Sequence, residues 1–454
     1  MKTNNQTLAR RAAALLGAAL LLSPMAVAAN GTGLVGGKHK VSAPDAVNGI
    51  EPGAPGGVGL ALMGRKVVTA EYKGRQVVDN GTVLVKDGKI EAVGPSSEVS
   101  IPNGYVIMDV GEHWLMPGLV EMHNHVAGRF GLNDMVYLAN PGLRASSDVV
   151  PKNELLKMGL AGGVTTVLYI PGSGTNVGGQ GVMLRAGFEH YEDAEIRNPG
   201  SMKLAQAGNP ERWLMRPQRS LMNFNTRSTF KRGIAYAKNW EAYERDGGVK
   251  PKKDPQWEIF RHLRKRDCHI STHTQIYQVV LKTVTLVHDE LGLPFFVDHG
   301  TFDSWRMTPE LEKREIFACV GPRNIDVPTA GFRRFSGSNP ERIQGVVAGY
   351  QEMGHTRLGF NTDSPVIPQE ELQLQASMAA RYGFDDSNMD TLRGLTIIPA
   401  LAGGIGEIVG SLEVGKDADI LVVTGDVTDP RHSVELVFSL GQSVYDPTKE
   451  GRRW

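Results

Sequence analysis

The chain has 454 residues, of which 41% are hydrophobic and 22% charged, a composition typical of a soluble globular protein with a large core and one smaller domain. Disorder and coiled coil are excluded as overall classes. Lys plus Arg and Asp plus Glu number 49 each, so the formal net charge is zero and no whole-protein field attracts nucleic acid or an anionic membrane. We therefore expect the partner to be a small-molecule substrate.

The first 28 residues have the pattern of an export signal. Lys2, Arg10 and Arg11 supply positive charge, residues 12–22 form a short apolar run, and Ala26-Val27-Ala28 is a small-residue cleavage site. That run is too short to span a bilayer, and no later apolar run reaches about 18 residues. The pattern predicts export to the periplasm or the medium, with no membrane insertion of the mature chain. The choice between the general and the twin-arginine export route is left open.

The two ends of the mature chain both predict short strands. Residues 29–57 are a flexible lead-in rich in Gly, Pro and Ala. Residues 58–115 contain β-branched runs separated by turn signals such as Asn80-Gly81 and Asp87-Gly88, and residues 405–454 contain two further strands. We expect the two end segments to form one small β-sandwich.

The middle of the chain, residues 116–404, alternates strand and helix patterns. Eight candidate strands over roughly 290 residues have the size and rhythm of a (β/α)8 barrel. The Gly-rich stretch at 172–181 predicts a loop over the barrel mouth, because it lacks the Lys-Ser/Thr pair of a phosphate-binding loop. The candidate strands are 118–126, 163–170, 181–184, 202–205, 269–274, 295–299, 316–320 and 357–362.

Six polar residues fall at the ends of five of these strands. His123 and His125 end the first strand on one face, with Cα atoms roughly 6.6 Å apart. In such a barrel the catalytic groups lie at the carboxyl ends of the strands, so these side chains should converge. Neutral imidazoles and carboxylates are ligands for zinc, manganese or a similar divalent ion. The other residues at strand ends are Lys203, His273, His299 and Asp363.

The segment Met116 to His125, the run Gly163-Val164-Thr165-Thr166-Val167, the strand-end residues above and the tail at 410–420 resemble the metal-dependent amidohydrolase superfamily. The resemblance covers about residues 60–445. It implies a (β/α)8 barrel with a β-sandwich from both termini. It also implies one or two divalent ions, most simply Zn²⁺, on His123, His125, His273, His299 and Asp363, with Lys203 as a carbamylated bridging ligand.

The resemblance implies hydrolysis of a C–N amide bond in a dipeptide, an N-acyl amino acid or a cyclic amide. Asp363 would act as general base and then acid. Arg323 and Tyr169, near the ends of the seventh and second strands, are candidates to hold a substrate carboxylate.

Two alternatives remain open at this stage. One is a mononuclear heterocycle deaminase or imidazolone-type hydrolase, although Ile276 stands where such deaminases often carry a glutamate shuttle. The other is a non-enzymatic exported binding protein on the same scaffold. The assembly state is also open, with a homo-oligomer as the general expectation.

Overall fold

The computed structural model describes residues 41–129, 132–212, 216–322, 324–327 and 343–454. The predicted export signal, residues 29–40 of the predicted lead-in, and Arg323 lie outside the described residues. Within these ranges, none of the helices combines the length and the apolar composition that a membrane span requires.

Strands from both ends of the described chain form one mixed sheet. In space the order is β18-β17-β16-β5-β1-β2-β3, and β4 also pairs with β1. The antiparallel pairing of β16 with β5 joins the C-terminal strands to the N-terminal ones. Leu60, Leu62, Ile420 and Phe438 are buried in a single apolar cluster under this sheet. Its strands are β1 (Leu60–Val68), β2 (Val77–Lys86), β3 (Lys89–Pro95), β4 (Val106–Asp109), β5 (Trp114–Pro117), β16 (Ile420–Val423), β17 (Val434–Ser439) and β18 (Gln442–Tyr445).

The second sheet is the barrel. Its strands lie side by side in chain order, and an isolated parallel bridge between Asn124 and Ser364 joins its first and last strands. The barrel strands are β6 (Leu119–Asn124), β7 (Val164–Tyr169), β8 (Val177–Arg185), β9 (Glu195–Ala205), β10 (His269–Thr274), β11 (Phe295–His299), β12 (Ala318–Val320) and β15 (Leu358–Phe360). Two short strands, β13 (Ile325–Asp326) and β14 (Gln344–Gly345), pair with each other.

Helices follow most of the barrel strands and pack around them. The longest, α4, runs for 28 residues after β9. A π-helical turn, Val284–Glu290, continues α6. The described α-helices are α1 (Glu154–Ala161), α2 (Tyr191–Ala194), α3 (Asn209–Arg212), α4 (Arg219–Asp246), α5 (Ile259–Lys265), α6 (Tyr277–Thr283), α7 (Thr308–Glu312), α8 (Val346–Glu352), α9 (Leu372–Arg381), α10 (Asp390–Leu395), α11 (Ile397–Ala402) and α12 (Pro447–Glu450).

The predicted architecture, a TIM-like barrel with an additional β domain, is confirmed, but its third strand differs from the prediction. Strand β8 runs antiparallel to both β7 and β9, and it begins at Val177 inside the stretch predicted as a loop. Its glycines have a packing reason: a Cβ on Gly181 would lie 2.7 Å from the Ile170 side chain. The β7–β8 connection therefore resembles a hairpin and lacks the helix of a regular β/α unit.

Alternate side chains of the barrel strands face the surrounding helices and the barrel interior. Val297 packs in the large cluster shared with the helices, whereas its neighbour Phe296 packs in a separate cluster with Met122 and Cys319. Because seven of the eight strands are parallel, their carboxyl ends meet at one rim.

Candidate active site

The predicted histidines, lysine and aspartate converge at the carboxyl ends of the barrel strands. His123 and His299 are fully buried within β6 and β11, and His273 lies in β10. Asp363 lies three residues beyond β15 with a backbone φ of 51°, in the left-handed region that non-glycine residues rarely adopt. Segments separated by up to 240 residues therefore supply one rim.

Three ligand atoms form the tightest group. The Nε2 atoms of His123 and His125 lie 3.0 Å apart. Asp363 Oδ1 lies 3.1 Å from the first and 3.4 Å from the second. Two ligands about 2.1 Å from a tetrahedral zinc ion are about 3.4 Å apart, so this triangle has the dimensions that a shared cation requires.

The second nitrogen of each ring determines what the Nε2 atoms can do. His125 Nδ1 lies 2.9 Å from the Ile170 carbonyl oxygen, so this nitrogen carries the proton and donates it. His123 Nδ1 lies 2.7 Å from Asp298 Oδ1, close enough to require a proton there, although the N–H is not well aligned with the oxygen. Both Nε2 atoms then point lone pairs at each other and at the Asp363 carboxylate. Such an arrangement needs a positive charge between its members.

A second pair of ring nitrogens lies beside the first group. His299 Nε2 is 2.8 Å from His273 Nδ1, and His299 Nδ1 is 2.9 Å from the Gly321 carbonyl oxygen. The ring centroids of His299 and His123 are 4.4 Å apart, which makes the two groups neighbours. His273 Nε2 is buried with no hydrogen-bond partner, an orphan that a bound ligand would explain.

Lys203 points into this group from β9. Its side chain is 0% exposed, and its Nζ lies 3.3 Å from His123 Nε2 and 3.9 Å from Asp298 Oδ2. Burial lowers the pKa of Lys203 below its ordinary value, against the opposing effect of Asp298 and Asp363. Burial therefore favours the neutral amine, which is the form that reacts with carbon dioxide.

Burial and the neighbouring carboxylates determine the charges of the histidine rings. Burial lowers the pKa of His299 to about 4 and that of His273 far below its usual range, so both rings are neutral. For His123 the effect of burial is outweighed by the Asp298 and Asp363 carboxylates, which raise its pKa to about 9. A proton on His123 thus supplies the positive charge when no metal is bound. The donor set as a whole fits one or two divalent cations.

Three residues that contact the predicted ligands were not predicted from the sequence. Asp298 contacts His123 and accepts a hydrogen bond from Ser271 Oγ at 2.5 Å. Ser173 Oγ lies 2.8 Å from His273 Nδ1. Glu121 lies two residues before His123 and accepts its backbone N–H at 2.8 Å. Two of them could have been predicted from their position in the sequence, because Glu121 lies two residues before His123 and Asp298 directly precedes His299.

Of the two predicted substrate-binding residues, the structure describes only Tyr169. Tyr169 is fully buried in the large cluster, and its hydroxyl donates to Asp148 Oδ2 at 2.7 Å. Its neighbours Leu168 and Ile170 pack in the other cluster, so by strand alternation Tyr169 faces away from the site. The prediction that Tyr169 binds substrate is wrong. Arg323 lies outside the described residues, and its role stays a prediction.

The chain that carries this site resembles known hydrolases. A model of the amidohydrolase family matches residues 356–445. The structure of an amidohydrolase from Thermotoga maritima covers 85% of this chain and all of its own, with 26% identity and a TM-score of 0.73. The chain belongs to the amidohydrolase superfamily. The predictions of this family and of an enzyme are thereby confirmed.

Two curated relatives are similar to this amidohydrolase over most of its length. Amidohydrolase tasK of Hapsidospora irregularis is 24% identical over 76% of the chain, which spans only 38% of that relative's length. An imidazolonepropionase of Sphingopyxis alaskensis is 22% identical over 83% of the chain and 93% of its own. Both matches extend well beyond the family-model region.

Proposed function

We propose that this amidohydrolase is an exported enzyme that hydrolyses a C–N amide bond in a small-molecule substrate: a dipeptide, an N-acyl amino acid or a cyclic amide. The observation that carries the proposal is the convergence of two imidazole lone pairs and the Asp363 carboxylate within 3.4 Å of one another. The proposed cation is Zn²⁺, held by His123, His125 and Asp363, with His273, His299 and a carbamylated Lys203 completing a site for a second ion.

A divalent cation at such a site lowers the pKa of water toward neutrality and polarises a carbonyl group. Asp363 supplies the proton transfer: Oδ1 is directed at the ligand atoms, and burial notwithstanding, His123 and His299 hold the pKa of its carboxyl far below the ordinary value. The carboxyl is therefore ionised and able to accept a proton from water. It would return that proton to the leaving nitrogen.

A second candidate is the heterocycle deaminase or imidazolone-type hydrolase, favoured by the similarity to an imidazolonepropionase. Ile276 argues against it. This residue is 1% exposed and packs with Ala207, Val279 and Phe302 in an apolar cluster, so it offers no proton shuttle where such deaminases often carry a glutamate. The first candidate needs no residue at that position.

The test is a screen of zinc-loaded protein against dipeptides, N-acyl amino acids, cyclic amides and amino-heterocycles. We expect hydrolysis in one of the amide classes and a loss of about 100-fold to 10,000-fold in kcat for Asp363→Asn, because general acid–base catalysis contributes that much. Asp246→Asn, an exposed change at the end of α4, is the matched control. Release of ammonia from amino-heterocycles alone would favour the deaminase. Retained binding without turnover in any class would favour the non-enzymatic alternative.

A further inference from the structure

The first and last strands of the barrel meet at a seam where regular pairing is sparse. Asn124 and Ser364 form an isolated bridge there, and the His125 N–H donates to the Ser364 carbonyl at 3.0 Å. Neighbouring strands elsewhere in the barrel pair over three or more positions. The seam is also where His123 and Asp363 approach each other, so any slip of one strand changes the distance between these two ligands.

Glu121 spans this seam with three hydrogen bonds. Its Oε1 accepts the His123 N–H at 2.8 Å. Its Oε2 accepts the Thr362 N–H at 2.8 Å and the Thr362 hydroxyl at 2.6 Å. One carboxylate therefore holds the backbone of His123 and the residue that directly precedes Asp363, 241 residues away.

Burial of a carboxylate at this position reduces the stability of the fold. Glu121 is 0% exposed, and within the described ranges no lysine or arginine forms an ion pair with it. Only a carboxylate, however, presents an acceptor on both arms. A glutamine of the same shape would turn an NH₂ group toward either His123 or Thr362, and one donor would lose its partner.

The backbone next to this anchor is strained. Asp363 holds a left-handed φ of 51°, a conformation that persists only where its surroundings fix it. The Thr362 N–H and hydroxyl bonds to Glu121 fix the residue before it, and the bridge at Ser364 fixes the residue after it. The Glu121 bonds are thus one of the anchors that hold the Asp363 carboxylate against the histidine pair.

We propose that Glu121 is a positioning residue: it sets the spacing between the His123 and Asp363 ligand atoms across the barrel seam and thereby the affinity of the site for a divalent cation. The inference rests on the proposed metal site and is independent of which substrate is hydrolysed. Glu121 does not itself join the ligand group, since both of its oxygens are occupied by backbone and hydroxyl donors.

The experiment is a double-mutant cycle read by zinc affinity. Zinc dissociation constants are measured by competition with a chromophoric chelator for the wild type, Glu121→Gln, Asp363→Ala and the double variant, each in the full chain. Loss of a group that orients a ligand weakens metal binding by about 10-fold to 100-fold, and we expect that loss for Glu121→Gln. In the Asp363→Ala background the same change should cost less than about 2-fold, because there is no longer an aspartate to position.

A purely structural role gives a different pattern. If Glu121→Gln weakens zinc binding by the same factor with and without Asp363, or leaves it unchanged in the wild type, the proposal is overturned. Thr362→Val removes the hydroxyl donor alone and keeps the shape, so it carries the test if Glu121→Gln does not fold. It should weaken zinc binding by about 3-fold in the wild type, as expected for one lost hydrogen bond, and not at all in Asp363→Ala.

The two proposals fail separately. Coupled zinc affinities in a protein without amide hydrolysis would contradict the proposed function and support the role of Glu121. Amide hydrolysis with additive zinc affinities would do the reverse.

Discussion

Removal of the proposed cation should destabilise this amidohydrolase by a predictable amount. Without it, the Nε2 atoms of His123 and His125 and the Asp363 carboxylate face one another at 3.0 to 3.4 Å with a single proton to share. A ligand that binds only the folded state at 1,000 times its dissociation constant contributes about 4.1 kcal/mol. With roughly 400 described residues and about 2.1 cal/mol/K of unfolding entropy per residue, that free energy corresponds to about 5 °C in Tm.

The assay is calorimetry of zinc-loaded protein before and after dialysis against a chelator, with metal content measured on the same samples. We expect Tm to fall by about 5 °C and to recover when zinc is added back. His123→Gln should start at the lower Tm and be insensitive to the chelator, whereas His288→Gln, an exposed histidine paired with Asp289, should behave as the wild type. A chelator-treated wild type that has lost its metal and keeps its Tm would show that the cation does not stabilise the fold.

Three further changes test individual contacts. Tyr169→Phe removes a hydrogen bond to a carboxylate and should cost about 1.5 to 3 kcal/mol of stability while leaving kcat/KM unchanged, as denaturant unfolding and kinetics would show; a raised KM would restore Tyr169 to the substrate site. Lys203→Met should bind less metal per chain than the wild type by elemental analysis, because it lacks the amine beside His123; equal metal content would exclude Lys203 as a ligand. Burial lowers the pKa of His355 to about 4, against the opposing effect of Glu312. The unfolded chain therefore binds a proton that the folded chain does not, and the free energy of unfolding decreases as the pH is lowered below about 6.5. Between pH 7.5 and pH 5 the wild type should therefore lose about 2 kcal/mol more than His355→Gln by denaturant unfolding; equal losses in the two proteins would contradict the shift.

The ligand positions were predictable because they depend on local rules. His123 and His125 share a face through strand alternation, and His273, His299 and Asp363 follow apolar runs whose carboxyl ends must meet in a parallel barrel. Each of these residues can be placed without knowledge of its neighbours in space. Their hydrogen-bond partners cannot be placed in this way, because those contacts depend on the folded structure. Asp298 and Glu121 were therefore recognised only in the structure.

The failures have physical causes of the same kind. Strand β7 is buried on both faces, so its sequence carries no alternation to show that Tyr169 faces away from the site. The antiparallel direction of β8 could have been predicted from the sequence. The connection after β7 is short, which suits an antiparallel pair, whereas a parallel crossover needs a dozen or more residues. The boundaries assigned to the domains, the export of the chain and its assembly state stay predictions.

The most direct test of the metal centre is an anomalous-difference map from crystals of the zinc-loaded protein, collected on both sides of the zinc absorption edge. We expect a peak about 2.0 to 2.2 Å from His123 Nε2, His125 Nε2 and an Asp363 carboxylate oxygen. A zinc-loaded crystal whose anomalous peaks all lie elsewhere, with His123 and Asp363 hydrogen-bonded to each other, would contradict it.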